Sequence, residues 1–325
     1  MTEKKYKLQI IIPHFKESWE FLSNLLDSLK MQQQINFNDF GVILVNDGNE
    51  VIFDDIFYSY PFTVDYYIKE WSGIGATRQY GLNKVSAEYV MFCDCDDLFI
   101  RLTALNEIFQ LISEYSPDVI TSQLVTNSIP NTFTCLNMDD FLIHGKIWKV
   151  SYLHQYSIKW DPTLKLAEDT VFVKQGLYLT ENKKNILEPF YYWYRHKGSY
   201  TTVINPDSQS NYHHRLKGTR ALVNKFLSLG RTELAAKYTY YQLYESYLEL
   251  QKLEWSSIYT INLKRELETE LALFIKDYGE LIWTLEVDTQ YTVVTSLNYQ
   301  YAQKKKTASL INISFEDWYT SILNK

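Results

Sequence analysis

The sequence predicts an α/β protein: a mixed, mainly parallel sheet with helices on both faces over residues 1–206, then a smaller helical C-terminal domain over 207–325. Three observations predict it. Short apolar runs alternate with helical stripes through the first 126 residues, as expected of strands buried on both faces and joined by helical crossovers. From about Asp207 long helical patterns take over and turn signals thin out. The chain has 325 residues, 46% hydrophobic and 22% charged, enough to bury a sizeable core as one large domain or a domain with an appendage.

The elements follow in order. Residues 8–12 form an apolar run interrupted only by Gln9, a first buried strand. Ser18 can cap a helix whose stripe is Trp19, Leu22, Leu25, Leu26 and Leu29. Residues 40–45 read as a second buried strand, halted by Asn46-Asp47-Gly48, and 64–68 as a third. Gly73-Ile74-Gly75 opens a helix reaching about Val85. Residues 89–93 form another strand, Leu102, Leu105, Ile108, Phe109 and Ile112 mark a helix, and 118–125 a further strand. Helices are then expected over 215–229, 232–253 and 261–278.

Composition narrows the function classes. The net charge of −7 and the absence of any basic run denser than Lys304-Lys305-Lys306 disfavour a nucleic-acid partner, because phosphate neutralisation supplies most of that affinity. No run approaches the roughly eighteen apolar residues of a membrane span. The charged N-terminus turns straight into a strand, without a signal-peptide pattern, so a cytoplasmic protein is expected. Peripheral membrane contact and self-association stay open. Three cysteines, an odd count, speak against a disulfide framework, and Cys93 and Cys95 lack the second pair that a zinc finger needs. The 27 tyrosines and 8 tryptophans are read as core and surface filling rather than as sugar platforms.

Chemistry concentrates at Phe92-Cys93-Asp94-Cys95-Asp96-Asp97, where carboxylates crowd the end of a buried strand. In open parallel sheets ligands collect beyond the carboxyl ends of strands. Packing carboxylates there is costly unless a cation compensates them, and hard oxygen donors select magnesium, manganese or calcium over zinc. A divalent ion shared between a carboxylate and two phosphates neutralises a departing nucleoside diphosphate, as transfer from a nucleotide sugar requires. An acidic helix cap on a solvated turn accounts for these residues as well.

The surrounding segments separate the two readings. Ile10-Ile11-Ile12-Pro13-His14-Phe15-Lys16-Glu17, Val45-Asn46-Asp47-Gly48, the stretch from Gly73 to Leu82, and Glu88 through Asp97 (EYVMFCDCDD) stand in a fixed order. They are followed by His144-Gly145-Lys146, Leu166-Ala167-Glu168-Asp169-Thr170-Val171-Phe172 and the stretch from Tyr192 to Ser199. Together, over roughly residues 7–200, these resemble glycosyltransferase family 2, the inverting enzymes with the GT-A fold, a Rossmann-like sheet. Asn46 and Gln79 depart from the family pattern, where Asp and Asn are usual.

The resemblance implies a UDP-sugar donor and a Mn²⁺ or Mg²⁺ ion. It places Pro13 and Phe15 around the base, Glu17 at the donor site, and Asp47 on a uracil N3–H. Arg78 would reach a phosphate or Asp94, and Asp94, Cys95 and Asp96 would form the metal and ribose segment, with Asp94 and Asp96 as metal ligands. His196 and Ser199, beside Arg195, would lie in a loop over the diphosphate. Asp169 would be the general base and Glu168 would assist acceptor binding, whereas Asp97 is read as a cap for the next element. Each has a plainer alternative: Asp47 as a turn residue, Arg78 as an exposed helix arginine, Glu168 and Asp169 as acids suiting a helix dipole.

The implied function is transfer of a hexose or N-acetylhexosamine to a hydroxyl of a glycan, cell-wall polymer, lipid-linked or protein acceptor. Two other classes stand beside it. A nucleotidyltransferase-like enzyme needs a glycine-rich basic phosphate loop, which is missing between Met1 and Gly48. A non-catalytic sugar-nucleotide or glycan binder would be expected to lose its carboxylates, yet Asp94, Asp96 and Asp169 are present.

Overall fold

The computed structural model describes residues 6–48, 54–128, 132–136, 141–197, 210–252, 258–304 and 313–324. The chain divides into two compact units, Met1–Asn205 and Pro206–Lys325.

The first unit is built on a nine-stranded sheet in the order β3-β2-β1-β4-β8-β6-β9-β5, with β7 paired to β6. Its strands are β1 (Leu8–His14), β2 (Phe40–Asn46), β3 (Thr63–Ile68), β4 (Tyr89–Phe92), β5 (Leu98–Phe99), β6 (Val119–Ser128), β7 (Thr132–Leu136), β8 (Lys146–Lys149) and β9 (Lys183–Trp193). Every residue of β1, β2 and β4 is buried, which explains why the sequence shows runs there rather than alternation. Ile11 lies opposite Ile43 on one side and Phe92 on the other, both in parallel pairing. Strand β8 runs antiparallel to β4 and β6, β5 antiparallel to β9, and β7 antiparallel to β6. Strands β3, β2, β1, β4, β6 and β9 therefore share one direction, and their carboxyl ends share one edge.

Helices cover both faces. Leu8, Ile10, Ile12, Val42, Leu44, Cys93 and Cys95 form one cluster with Leu22, Leu25, Leu26 and Leu29 of α1 (Trp19–Lys30) and Leu105, Ile108 and Phe109 of α3 (Ala104–Tyr115). Each such leucine contributes about 1.5–3 kcal/mol on burial. Ile11 points to the other face, as strand alternation requires, and meets α2 (Ile74–Leu82). A Cβ on Gly81 of α2 would stand 2.6 Å from Ile11 Cγ2, so the helix lies there only because that residue is glycine. Beside it run α4 (Val150–Gln155) and α5 (Glu168–Tyr178). Gly176 of α5 packs so close to Trp148 that a Cβ would fall 2.1 Å from its Cζ3.

Local details differ from expectation. Ser18 occupies the N-cap position of α1, but its hydroxyl makes no capping hydrogen bond. Helix α2 ends at Leu82, before Val85, and β6 runs on to Ser128, where it forms the β7 hairpin.

The second unit is helical, with α6 (Ser210–Ser228), α7 (Thr232–Lys252), α8 (Ile258–Tyr278), α9 (Val287–Lys304) and α10 (Phe315–Leu323). Leu222, Phe226, Leu243, Leu271, Phe274, Leu297 and Trp318 are among its buried residues. Arg215 of α6 reaches Glu245 at 3.4 Å and Glu249 at 2.8 Å on α7. Among the described residues no helix is long and apolar enough to cross a membrane.

Candidate active site

The shared carboxyl edge gathers the polar residues. Asp47, just past β2, is 3% exposed. Its Oδ1 accepts from the Ser72 backbone N–H at 2.8 Å and from Lys69 Nζ at 2.5 Å, and its Oδ2 accepts from the Gly73 N–H at 2.8 Å. Gly73 has φ +89, a conformation that only glycine adopts at little cost, and so turns its N–H toward that carboxylate. The carboxylate is more than a turn residue, because it ties the segment after β3 to β2. Oδ2 keeps acceptor capacity for one further donor. The Phe15 ring, 41% exposed, lies 3.5 Å from where a Gly48 Cβ would stand, beside Asp47. Pro13 is buried within β1 opposite Val45, where its missing N–H lies beyond the β4 pairing. Lys16 is left-handed, with φ 64, and the turn it makes lets Glu17 Oε2 accept from the Phe15 N–H at 2.5 Å. Burial pushes the Glu17 carboxyl up to about 7, backbone hydrogen bonds oppose the shift, and the charges of Asp96 and Asp94 add to it.

Beyond β4 the acids divide by partner. Burial works against the Asp94 charge, but Arg78 and His144 outweigh it and hold this carboxyl well below the usual range. Arg78 Nη2 donates to its Oδ1 at 2.7 Å, and His144 Nε2 lies 3.2 Å from its Oδ2. Asp96 is pushed up, first by burial and then by Asp94, with His196 Nε2 opposing at 2.9 Å. The His196 ring stacks on Phe21 of α1 at 4.9 Å. Asp97 is not a helix cap. It is fully buried, accepts from the Tyr191 hydroxyl at 2.5 Å and from the Tyr194 N–H at 3.0 Å, and burial lifts its carboxyl far above normal. The carboxyl-edge position of His144 follows from the reversed direction of β8, whose N-terminal side reaches this edge. Its ring stacks on Trp193 at 5.2 Å, and its Nδ1 has no hydrogen-bond partner among the described residues.

The base candidates lie at the start of α5. Ala167 precedes them at φ 62, and such a left-handed non-glycine residue typically costs about 1 kcal/mol or more. Arg78, 3% exposed and not a surface arginine, joins this helix to β4, because its Nη1 lies 3.5 Å from Glu168 Oε1. Burial and the Asp169 charge raise Glu168 to about 7, with Arg78 opposing. Asp169 is also raised by burial, with Arg78 again opposing, and its Oδ1 accepts the Thr170 N–H at 2.7 Å. The two acids thus suit the helix start and are also drawn into the network around Arg78. The Arg78 guanidinium lies over the Trp160 ring, Cζ 4.9 Å from its centroid.

The edge therefore brings together Glu17, Asp47, Arg78, Asp94, Cys95, Asp96, Glu168, Asp169 and His196. Phe15 is at its rim, Pro13 is buried behind it, and Ser199 lies outside the described residues. Cys95 is 2% exposed and belongs to the apolar cluster under α1. Sequence reasoning assigned no role to Lys69, His144, Tyr191 or Trp160. Lys69 was within reach of the carboxyl-end rule, since it directly follows β3.

The donor set suits a hard divalent cation. Glu17, Asp94, Asp96, Asp97, Glu168 and Asp169 face one guanidinium and two imidazoles, and Glu17 and Asp96 are raised first by burial, with neighbouring carboxylates adding to it. Asp94, Asp97 and His144 offer donor atoms all within 4.8 Å of one another, a triad that does not include Asp96.

Residues 9–160 match the family described as glycosyl transferase family 2. Glycosyltransferase GlyA of Streptococcus pneumoniae serotype 4 is 26% identical over 229 residues, 61% of this chain and 32% of that protein. The poly(ribitol-phosphate) beta-glucosyltransferase of Bacillus spizizenii is 27% identical over 206 residues, 58% and 32% of the two chains. The poly(ribitol-phosphate) beta-N-acetylglucosaminyltransferase TarS of Staphylococcus aureus is 26% identical over 208 residues, 59% and 36%. The chain thus spans about a third of the length of these relatives. Among solved structures, S. aureus TarS 1–349 in complex with UDP-GlcNAc superimposes with a TM-score of 0.67 over 92% of both chains at 17% identity, a likeness of fold. Residues 9–160, just under half of the chain, thus match glycosyltransferase family 2 and carry most of its ordered motifs, within a chain that has the GT-A fold.

Proposed function

We propose that the protein is an inverting, metal-dependent transferase that moves glucose or N-acetylglucosamine from a UDP-sugar to a hydroxyl of a polyol-phosphate cell-wall polymer. The observation that carries this reading is Arg78, a single buried guanidinium shared between the Asp94 carboxylate beyond β4 and Glu168 at the start of α5. It holds the proposed donor-side acid and acceptor-side acid close together in one network, which suits direct displacement between them. The donor and polymer classes rest on the relatives named above.

Each residue then has a task. Asp47 accepts the uracil N3–H through the free capacity of Oδ2, with Phe15 against the base. Asp94 and Asp96 would hold a Mn²⁺ or Mg²⁺ ion, which when bound supplies Lewis-acid neutralisation of the diphosphate. His196 is positioned over Asp96 by its stacking on Phe21 and closes the same side. Asp169 takes the proton of the acceptor hydroxyl as that oxygen bonds to the anomeric carbon and the bond from that carbon to the UDP oxygen breaks. The attack from the opposite face inverts the centre. The raised proton affinity of buried Asp169 favours this transfer.

A thermal-shift screen of UDP-, GDP- and dTDP-sugars with Mn²⁺ tests the donor assignment, since a ligand that binds the folded state raises Tm as it fills the site. UDP-glucose or UDP-N-acetylglucosamine should raise Tm with Mn²⁺ and much less with EDTA. A larger rise with GDP-sugars would overturn the nucleotide assignment.

A further inference from the structure

Trp160 meets three of the parts on which transfer depends. Its ring stacks on Phe172 at 4.4 Å with planes 11° apart, and Phe172 lies one turn into α5 from Glu168. It also meets Phe92 edge-on at 5.0 Å, and Phe92 is the last residue of β4, just before Asp94. The third part is Arg78, lying over the ring face.

In its own plane the guanidinium is held unevenly, at 2.7 Å by Asp94 and only 3.5 Å by Glu168, while Nε has no hydrogen-bond partner among the described residues. The one short bond fixes a single edge of the group. The Trp160 ring supports its face. Trp160 is in turn fixed through its backbone, whose N–H donates to Gln79 Oε1 at 2.9 Å, while Gln79 Nε2 donates to Asn83 at 2.8 Å. Gln79 is one of the two positions where this chain departs from the family pattern.

The indole carries a polar cost, as that of Trp148 does, but here the ring also faces a cation. Trp160 is 2% exposed, and its Nε1 is buried without a hydrogen-bond partner among the described residues. A phenylalanine here would leave no polar group unpaired. Tryptophan does offer a cation the strongest of the aromatic faces.

We infer that Trp160 is a positioning residue for transfer: its indole face, fixed by Phe172 and Gln79, sets the plane of Arg78 so that one guanidinium holds donor-side Asp94 and acceptor-side Glu168 together. The inference rests on the transfer reading proposed above.

Steady-state kinetics of Trp160→Phe, Gln79→Ala and wild type, with UDP-sugar, Mn²⁺ and acceptor, test it. Trp160→Phe should lower kcat about 10-fold, keep the donor KM within about two-fold, and leave Tm unchanged or higher. Gln79→Ala should shift kcat in the same direction. Adding Arg78→Lys to Trp160→Phe should cost less than the product of the separate effects, because both act through one contact. Wild-type kcat in Trp160→Phe overturns the inference. A fall in kcat matched by a fall in Tm also overturns it, by assigning the ring to packing. A wild-type protein that turns over no sugar nucleotide removes the transfer reading itself, and the inference with it.

Discussion

Replacing Glu168 with Gln should stabilise the protein at pH 8 while impairing transfer. The Glu168 carboxyl is raised from 4.5 to about 7 by burial and by Asp169. Because the folded state binds this proton more tightly than the unfolded state, stability is highest with Glu168 protonated and falls as pH rises from about 4.5 to about 7. At about 1.4 kcal/mol per pH unit the penalty cannot exceed roughly 3.4 kcal/mol. Glu168 shares this environment with Asp169, and Gln gives up its attraction to Arg78, so a net gain of about 2 kcal/mol at pH 8 is expected. The side chain is 11% exposed, so solvent screening removes little of it. Urea unfolding followed by tryptophan fluorescence at pH 5 and pH 8 measures the difference. The gain should be near 2 kcal/mol at pH 8 and shrink toward zero at pH 5. A variant no more stable than wild type at pH 8, or equally favoured at both, refutes the claim that this carboxylate is held ionised at a cost.

The same carboxylates predict the pH dependence of turnover. With Asp169 raised by burial beside Glu168, kcat should rise with pH through an acid limb above the 4 to 5 of ordinary carboxylates. Asp96→Asn should weaken metal-dependent donor binding about 10-fold or more, read by isothermal calorimetry with and without Mn²⁺. Lys69→Met removes the ammonium from Asp47 and should raise donor KM several-fold with kcat nearly unchanged. Gly176→Ala drives a methyl into Trp148 and should cost about 3 kcal/mol, a fall in Tm of roughly 6–12 °C.

Much of this site was legible because its residues mark strand ends. Runs such as Val42-Ile43-Leu44 and Val90-Met91-Phe92 are apolar on both faces, so β2 and β4 stand out, and Asp47 and Asp94 follow them closely. What stayed hidden depends on tertiary contacts. The four-residue β8 carries no sign of its reversed direction, which is what brings His144 to Asp94. Asp97 looks like its acidic neighbours in sequence and differs only because Tyr191, 94 residues away, covers it. Lys69 follows β3 and so falls under the carboxyl-end rule, but only the tertiary structure shows its side chain 14% exposed and bound to Asp47. Trp160 lies between two charged residues, Lys159 and Asp161, and nothing nearby in sequence marks it as the platform for Arg78.

The most direct measurement is radiolabelled sugar transfer from UDP-glucose and UDP-N-acetylglucosamine to poly(ribitol phosphate) with Mn²⁺, run beside donor binding for wild type and Asp169→Asn. Wild type should transfer sugar in a reaction that EDTA abolishes, and Asp169→Asn should bind donor normally but transfer at least about 1000-fold more slowly. Near-normal transfer by Asp169→Asn, or a wild-type protein with no affinity for any UDP-sugar, would contradict the proposed function.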